Sequence, residues 1–408
     1  MKLRNIFFLL TVWCGISCNA DRQGHGPEDP SAGVIPTGEL AVIEIMTEGG
    51  ALVVSKEEYM SATVTVKYGD EVMENIACNI RGRGNSSWYN AEKKSYRLKF
   101  EEKTSLLGRA KDKSWSLIAN YFDKTLLRNE LAFNMSRMSS LLYTPATDYV
   151  EVWLNGSYEG LYVLCDHLKT GSHRVDAEYL MEIDSRAEEE DIKLNVTNIG
   201  QPVVVKDPDD ISYDSVEYLY ISQFMNSVDD LLYSDMYASA SIGYRTVIDV
   251  DSFVDWYLIN EIAKNNDAVL YTSCYMNHSE GGLLYMGPVW DFDIAFGKVN
   301  YNDNDKPEGL WIAGASWYQR LLTDPYFEEK VRTRFMFYYG KKAELLKFID
   351  DYAAYLKPYV DRNEERWHTM DQLLWANNEV FDTYEEYVAS LKKWLSARMD
   401  WMKMNYGL

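Results

Sequence analysis

The spacing of apolar residues changes near residue 186, and this change constrains the fold more than any other feature of the sequence. Between residues 38 and 185, short runs alternate polar and apolar side chains, as at Val64, Val66 and Tyr68. Such alternation is typical of half-buried strands. Later apolar residues recur at helical spacing. The pattern predicts an α+β chain with a sheet-rich N-terminal lobe (38–185), a helix-rich C-terminal lobe (186–408) and a cleft between the two lobes.

Individual elements can also be predicted. Asn155-Gly156 is the preferred dipeptide of a type I′ turn, so the flanking apolar runs 150–154 and 158–164 form a β-hairpin. The apolar positions predict helices around 124–139 and over 214–235, 251–265, 326–346, 347–372 and 382–404, with short strands at 283–286 and 290–294.

The charge of the chain excludes one class of partner. It carries 63 acidic and 41 basic side chains, a formal net charge of −22. A nucleic-acid partner is not expected, because phosphate backbones bind basic surfaces. The five histidines show no metal-ligand spacing, which argues against zinc and against imidazole catalysis.

The first residues are typical of an export signal. Lys2 and Arg4 precede an apolar run, and small residues then lead to Cys18. We expect residues 1–17 to be a lipoprotein signal peptide, Cys18 to carry the lipid, and 18–37 to be a flexible tether. An ordinary secretory signal is the alternative. Either way the protein is exported, and the lipid would anchor it in the cell envelope, in the periplasm or at the outer membrane.

The segment 287–297, Gly-Pro-Val-Trp-Asp-Phe-Asp-Ile-Ala-Phe-Gly, holds two closely spaced acids. In an extended strand, Asp291 and Asp293 would share one face while Trp290 and Phe292 share the other. Two adjacent carboxylates repel unless a cation neutralises them, and such a pair suits Mg²⁺ or Mn²⁺. Solvated acids on a surface strand are the alternative.

Arg81-Gly-Arg-Gly-Asn-Ser-Ser87 combines guanidinium groups, hydroxyl donors and flexible backbone. These are the groups that bind a polyphosphate. The residues are Arg81, Gly82, Arg83, Gly84, Asn85, Ser86 and Ser87. Without further support, the segment could equally be a simple turn.

Two more residues are candidates for chemistry. In Lys93-Lys-Ser-Tyr-Arg-Leu-Lys-Phe100, period-two alternation places Lys94 on the apolar face with Tyr96 and Leu98. A buried ammonium needs an anionic partner, so Lys94 would pair with a phosphate or a carboxylate unless it extends to water. Asp267 follows the end of a predicted helix, where it could accept a hydroxyl proton or simply be a turn residue.

These motifs together resemble the CotH (spore coat protein H) family of atypical protein kinases. The resemblance covers about residues 40–300. The strings that carry it are IRGRGNSSW, KKSYRLKF, LIANYFDKTLLRN, LNGSYEGLYVL, NEIAKNND and GPVWDFDIAFG. The resemblance implies a two-lobed, remote protein-kinase-like fold with ATP between the lobes.

The resemblance also implies roles for individual residues. Lys94 would contact the nucleotide, residues 81–87 would form the phosphate loop, Asp267 would be catalytic and Asp291 would bind metal. The sequence departs from the family at two places. Asp166 stands where a Glu partner of the lysine is common, and Thr272-Ser273-Cys274 replaces an Asn expected to hold a second metal ion.

The leading hypothesis is therefore a lipid-anchored CotH-like kinase that uses ATP and Mg²⁺ (or Mn²⁺) to phosphorylate a protein at the cell envelope. Asp293 would assist Asp291 in binding the metal. One alternative is an inactive pseudokinase-like binding or assembly protein, for which 12 Trp and 31 Tyr would also suit glycan stacking. Another is a metal-dependent phosphoesterase.

Overall fold

The computed structural model describes residues 31–408, which form twelve β-strands and eight α-helices. The predicted signal peptide 1–17 and the predicted lipid site Cys18 lie outside the described residues and stay predictions. At the described end of the predicted tether, the backbone N–H of Gly33 donates to Asn134 Oδ1 at 2.6 Å, and Ile35 packs against the main core.

Seven strands close into a barrel in the order β1-β2-β3-β4-β5-β7-β6. β6 lies parallel to β1, and the other neighbouring pairs are antiparallel. Alternate side chains, including Leu98, Phe100 and Trp115, fill the interior with an apolar core. The strands are β1 (Ala41–Thr47), β2 (Met60–Tyr68), β3 (Glu71–Arg83), β4 (Ser95–Thr104), β5 (Asp112–Ile118), β6 (Thr147–Leu154) and β7 (Ser157–Asp166).

The hairpin predicted at Asn155-Gly156 is confirmed. Leu154 pairs with Ser157 across the turn, and φ is 51° at Asn155 and 80° at Gly156. A type I′ turn needs positive φ at both central residues, which Asn and Gly tolerate best. The local sequence therefore determines the β6–β7 connection.

The second sheet has five strands in the order β12-β11-β8-β10-β9. Its central pair joins distant parts of the chain, because Met181 of β8 pairs with Met276 of β11. The sheet thus combines strands from both sides of residue 186. Its strands are β8 (Tyr179–Ile183), β9 (Lys193–Leu194), β10 (Val203–Asp207), β11 (Cys274–His278) and β12 (Tyr285–Met286).

The helices pack around α4, whose residues from Ser252 to Ala263 are all buried. The Asp249 carboxylate caps its first turn by accepting from the Ser252 N–H at 2.8 Å, and Lys264 ends it with φ of 47°. Among the described helices, none is both long and apolar enough to cross a bilayer. They are α1 (Ser86–Asn90), α2 (Arg128–Arg137), α3 (Val216–Tyr233), α4 (Val250–Ala263), α5 (Ser316–Leu321), α6 (Pro325–Gly340), α7 (Lys342–Trp367) and α8 (Tyr384–Asn405).

The predicted fold class, a two-lobed, kinase-like α+β arrangement, is wrong. The strands of the first half do not form an open lobe, because β6 returns beside β1 and closes them into a barrel. A second sheet then spans the expected boundary between the halves. Alternation of side chains identifies strands, but it does not specify which strands pair.

Candidate active site

A cleft of about 550 Å³ lies against the outer wall of the barrel. Arg83 and Arg97 line it from β3 and β4, and Glu182 and Tyr275 line it from the second sheet. Asp291 and Asp293 also line it, together with acidic residues from other parts of the chain. The volume is typical of a small-molecule site. The candidate site therefore lies between the two sheets.

The barrel side of the cleft carries three arginines, which we call the cationic wall (Arg81, Arg83 and Arg97). Arg81 is paired with Arg97 across β3 and β4, and Arg83 is paired with Ser95. Burial lowers the pKa of the Arg97 guanidinium, and the charges of Arg81 and Arg83 act in the same direction. The buried Nε atoms of Arg81 and Arg97 have no hydrogen-bond partner among the described residues. Guanidinium N–H groups that lack a partner in a cleft are suited to an anion.

The predicted phosphate loop, residues 81–87, lines this cleft throughout. Its glycines, however, are explained by packing within the protein. A Cβ on Gly82 would lie 2.2 Å from the Trp88 ring, and Gly84 has φ of +94° and the Ser87 hydroxyl beside it. Lys56 Nζ donates to Asn85 Oδ1 at 3.0 Å. The loop is therefore held in place by its own contacts before any ligand binds.

The predicted strand at 290–294 is wrong. Those residues are not part of a strand, and Asp291 has φ of 65°, in the left-handed region. Asp tolerates this conformation better than most residues. Two side chains hold the backbone there: Asn129 Oδ1 accepts from the Phe292 N–H at 2.8 Å, and Asn265 Nδ2 donates to the Asp291 carbonyl at 3.2 Å.

Three carboxylates come together where this segment meets the cleft, and we call them the acidic floor (Asp267, Asp291 and Asp293). The enclosing protein, followed by the charges of Asp293 and Asp267, raises the pKa of Asp291 to about 7. Part of Asp291 nevertheless remains exposed to water. Burial also raises the pKa of Asp293, while the Lys298 ammonium opposes that shift. The positively charged groups nearby therefore compensate only part of the negative charge of the acidic floor.

The chemistry of this floor fits a divalent cation. Within residues 31–408, no group of three or more His, Cys, Asp or Glu side chains is arranged to hold a metal ion. Mg²⁺ commonly takes only one or two carboxylates and completes its shell with water and phosphate oxygens. Asp291 and Asp293 could supply that share of the ligands.

The structure does not bring Lys94 into the cleft. Its Nζ donates to the Trp88 carbonyl at 2.6 Å and lies 5.3 Å from the Trp88 ring. The apolar face that suggested an inward Lys94 is the closed interior of the barrel, and β4 begins only at Ser95. The adjacent Lys93 lines the cleft instead and is 2% exposed.

Asp166 also lies away from the cleft. It is 3% exposed, its Oδ2 accepts from the Tyr143 hydroxyl at 2.7 Å, and its Oδ1 lies 3.1 Å from Arg174 Nη2. These partners fix Asp166 at the end of β7, where it is paired with Trp115 of β5. Nothing in its surroundings connects it with Lys94.

The tripeptide that replaces the expected Asn contacts the site. Ser273 Oγ donates to Asp291 Oδ2 at 3.3 Å, and Thr272 Oγ1 donates to Asp184 Oδ1 at 2.8 Å. Cys274 is buried at the start of β11. Two hydroxyl groups thus stand where an amide ligand was expected.

Sequence reasoning missed several residues of the cleft. Arg97 lies on the face of β4 opposite to that of Tyr96 and Leu98, and it lines the cleft. Its cross-strand position opposite Arg81 was the available signal, but only with the pairing of β3 and β4 known. The other missed residues include Lys93, Glu182, Lys206, Tyr275 and Trp375.

Comparison with known proteins identifies the family. A search of curated proteins found no match. The family described as CotH kinase protein matches residues 80–402, well over half of the chain. The match includes the cationic wall, the acidic floor, the helices α1 to α7 and most of α8. The chain belongs to the CotH kinase family.

Proposed function

We propose that this protein transfers the γ-phosphoryl group of ATP to a hydroxyl group of a protein. The observation that carries the proposal is the placement of the cationic wall and the acidic floor around one cleft. Guanidinium groups bind phosphate oxygens, and adjacent carboxylates bind the divalent cation that accompanies them. Membership of the CotH kinase family supports the same reaction class.

Each residue then has a defined task. Bound Mg²⁺–ATP would supply the transferable phosphoryl group and part of its charge neutralisation. Arg83 and Arg97 bind phosphate oxygens from the barrel side. Asp291 and Asp293 hold the cation. Asp267 takes the proton of the acceptor hydroxyl. The oxygen of that hydroxyl bonds to the γ-phosphorus. The bond between this phosphorus and the bridging oxygen then breaks, and ADP leaves with that oxygen.

The place of action belongs to the same proposal. An export signal over residues 1–17 and a lipid on Cys18 would position the domain in the cell envelope, where its acceptor protein would also lie. Support comes from the basic, apolar and small-residue order of the first eighteen residues.

A second candidate is a nucleotide-binding protein without turnover. It is favoured by one observation: Ser273, rather than an amide, contacts Asp291. A site with fewer metal ligands could bind ATP yet fail to organise the transfer.

The test is ATP binding by calorimetry with and without Mg²⁺, together with phosphoryl transfer to a general acceptor protein. We expect metal-dependent binding in the wild type, and an Asp267→Asn variant that binds ATP but transfers nothing. Binding without transfer in the wild type would support the second candidate. Absence of binding at millimolar ATP would overturn both.

A further inference from the structure

The connection between α7 and α8, residues 368–383, reaches the cleft from the helical side. Lys124 Nζ donates to the Met370 carbonyl at 3.1 Å, which fixes one end of this strap. Near its other end, the Asn378 N–H donates to the Lys298 carbonyl at 3.3 Å. Between these ties lies Trp375, which lines the cleft and is 46% exposed. The strap therefore presents a large aromatic side chain to the site.

Trp375 belongs to an aromatic corner (Tyr121, Phe122 and Trp375), and all three residues line the cleft. The Phe122 and Trp375 rings meet edge to face with centroids 5.2 Å apart. Phe122 is 2% exposed, so it is a fixed support for the more exposed indole. The arrangement leaves aromatic surface facing a cleft that is otherwise mostly polar.

The register of the barrel relates this corner to the cationic wall. Arg97 is paired with Ser116 of β5, and Arg83 is paired with Ser95, whose hydroxyl accepts from the Ala119 N–H at 3.0 Å. This side of the cleft thus continues from the cationic wall to Ala119 and then to Tyr121. At about 3.3 Å per residue, Ser116 and Tyr121 lie at most about 17 Å apart. Cationic and aromatic groups therefore occupy successive positions along one side of the cleft.

We infer that the aromatic corner binds the base of the nucleotide, with Trp375 as its stacking surface. This inference rests on the proposed function. A ligand that contacts both the cationic wall and the aromatic corner must be anionic at one end and flat and apolar at the other. A nucleoside triphosphate has this form. Stacking on aromatic side chains is the usual way in which proteins hold a base.

The test compares ATP with inorganic tripolyphosphate, both with Mg²⁺, by calorimetry on the whole protein. A Trp375→Ala variant should lose roughly 5- to 100-fold in ATP affinity, while its affinity for tripolyphosphate stays at the wild-type value. Trp375→Phe should recover most of the loss, because it restores an aromatic face. Leu373→Ala is the matched control, since Leu373 is exposed on the same strap and does not line the cleft.

The outcomes separate this inference from the proposed function. If Trp375→Ala weakens ATP and tripolyphosphate equally, or weakens neither, the base does not stack there and the inference fails while the phosphate site stands. If Trp375→Ala impairs only phosphorylation of a protein acceptor, the corner serves the acceptor instead. If the wild type binds neither ligand, the proposed function and the inference both fail.

Discussion

Arg81 and Arg97 lie directly opposite each other on adjacent antiparallel strands of the barrel. Like charges in this position are destabilising by themselves. Arg81 is partly satisfied, because its Nη1 donates to the Lys56 carbonyl at 2.8 Å and its guanidinium lies 4.8 Å from the Tyr59 ring. Arg97 has less support, and its burial lowers its pKa. An anion between them would turn a repulsive pair into a binding site.

The first prediction concerns Arg97→Ala. We expect ATP affinity to fall by about 1.5–3 kcal/mol, or roughly ten- to a hundredfold, because a charged hydrogen-bond donor to phosphate is lost. The melting temperature should not fall, since repulsion from Arg81 is relieved. Calorimetry and thermal unfolding measure the two effects.

Lys99→Ala is the control for Arg97→Ala. Lys99 projects from the same face of β4 two residues further on, carries the same charge, and does not line the cleft. Equal loss of ATP affinity in both variants would mean that Arg97 acts only through the net charge of the barrel.

The second prediction concerns Asp291→Asn. Asn tolerates the left-handed backbone at this position, so the loop should keep its shape. In the wild type, Mg²⁺–ATP should raise the melting temperature, because a ligand that binds only the folded state stabilises it. The variant should lose this rise. Asp235→Asn, at an exposed position remote from the cleft residues, should keep it. The same rise in melting temperature in both variants would mean that Asp291 does not bind the metal.

The local elements of this fold were predictable where short-range chemistry determines them. Asn155-Gly156 specified its turn, and the helical spacing located α3, α4 and α8 to within a few residues. The closure of the barrel was not predictable, because the parallel pairing of Ala41 with Val150 joins residues far apart in the chain. Alternation shows that a strand has two faces, but it does not show what each face meets.

The same limit explains the errors at the candidate site. Lys94 was placed on the apolar face of its strand, and that face is the filled interior of the barrel. Arg97, on the polar face, lines the cleft. Asp267 and Asp291, whose roles stay predictions, both line the cleft from loops that follow α4 and β12. They were proposed for their chemistry, rather than for their secondary structure.

The third prediction concerns Asp166→Asn. Asp166 and Arg174 form a buried ion pair, with both side chains at most 5% exposed. Removing one charge leaves the other without compensation, so we expect the free energy of unfolding to fall by about 3 kcal/mol. The folded protein should still bind ATP with wild-type affinity. Urea unfolding measures the loss, and Asp176→Asn at an exposed position nearby is the control. A stable variant with impaired ATP binding would mean that Asp166 does contribute to the nucleotide site.

The fourth prediction compares the neighbouring residues Lys93 and Lys94. Lys93 Nζ donates to the Ala119 carbonyl at 3.0 Å, to Asn363 Oδ1 at 2.9 Å and to the Leu161 carbonyl. Lys93→Met removes the side-chain donor from the buried Ala119 and Leu161 carbonyls, whereas Asn363 Oδ1 still accepts from the Leu161 N–H at 3.1 Å. The free energy of unfolding should therefore fall by about 3 kcal/mol. Lys94→Met should change neither stability nor ATP affinity appreciably. If Lys94→Met abolished ATP binding, its exclusion from the cleft would be wrong.

The last prediction is a pH dependence that follows from the same burial. Desolvation lowers the pKa of Lys93 from 10.5 to about 7, and the charge of Glu159 only partly opposes the shift. Between these two values the unfolded chain binds a proton that the folded chain does not, so the free energy of unfolding should rise with pH. The slope from this residue is at most about 1.4 kcal/mol per pH unit. The test is urea unfolding of the wild type and of Lys93→Met from about pH 7 to about 9.5, a range that stays below the ordinary pKa of tyrosine. The difference in the free energy of unfolding between the two proteins should grow with pH. A constant difference across this range would mean that Lys93 keeps its charge when buried.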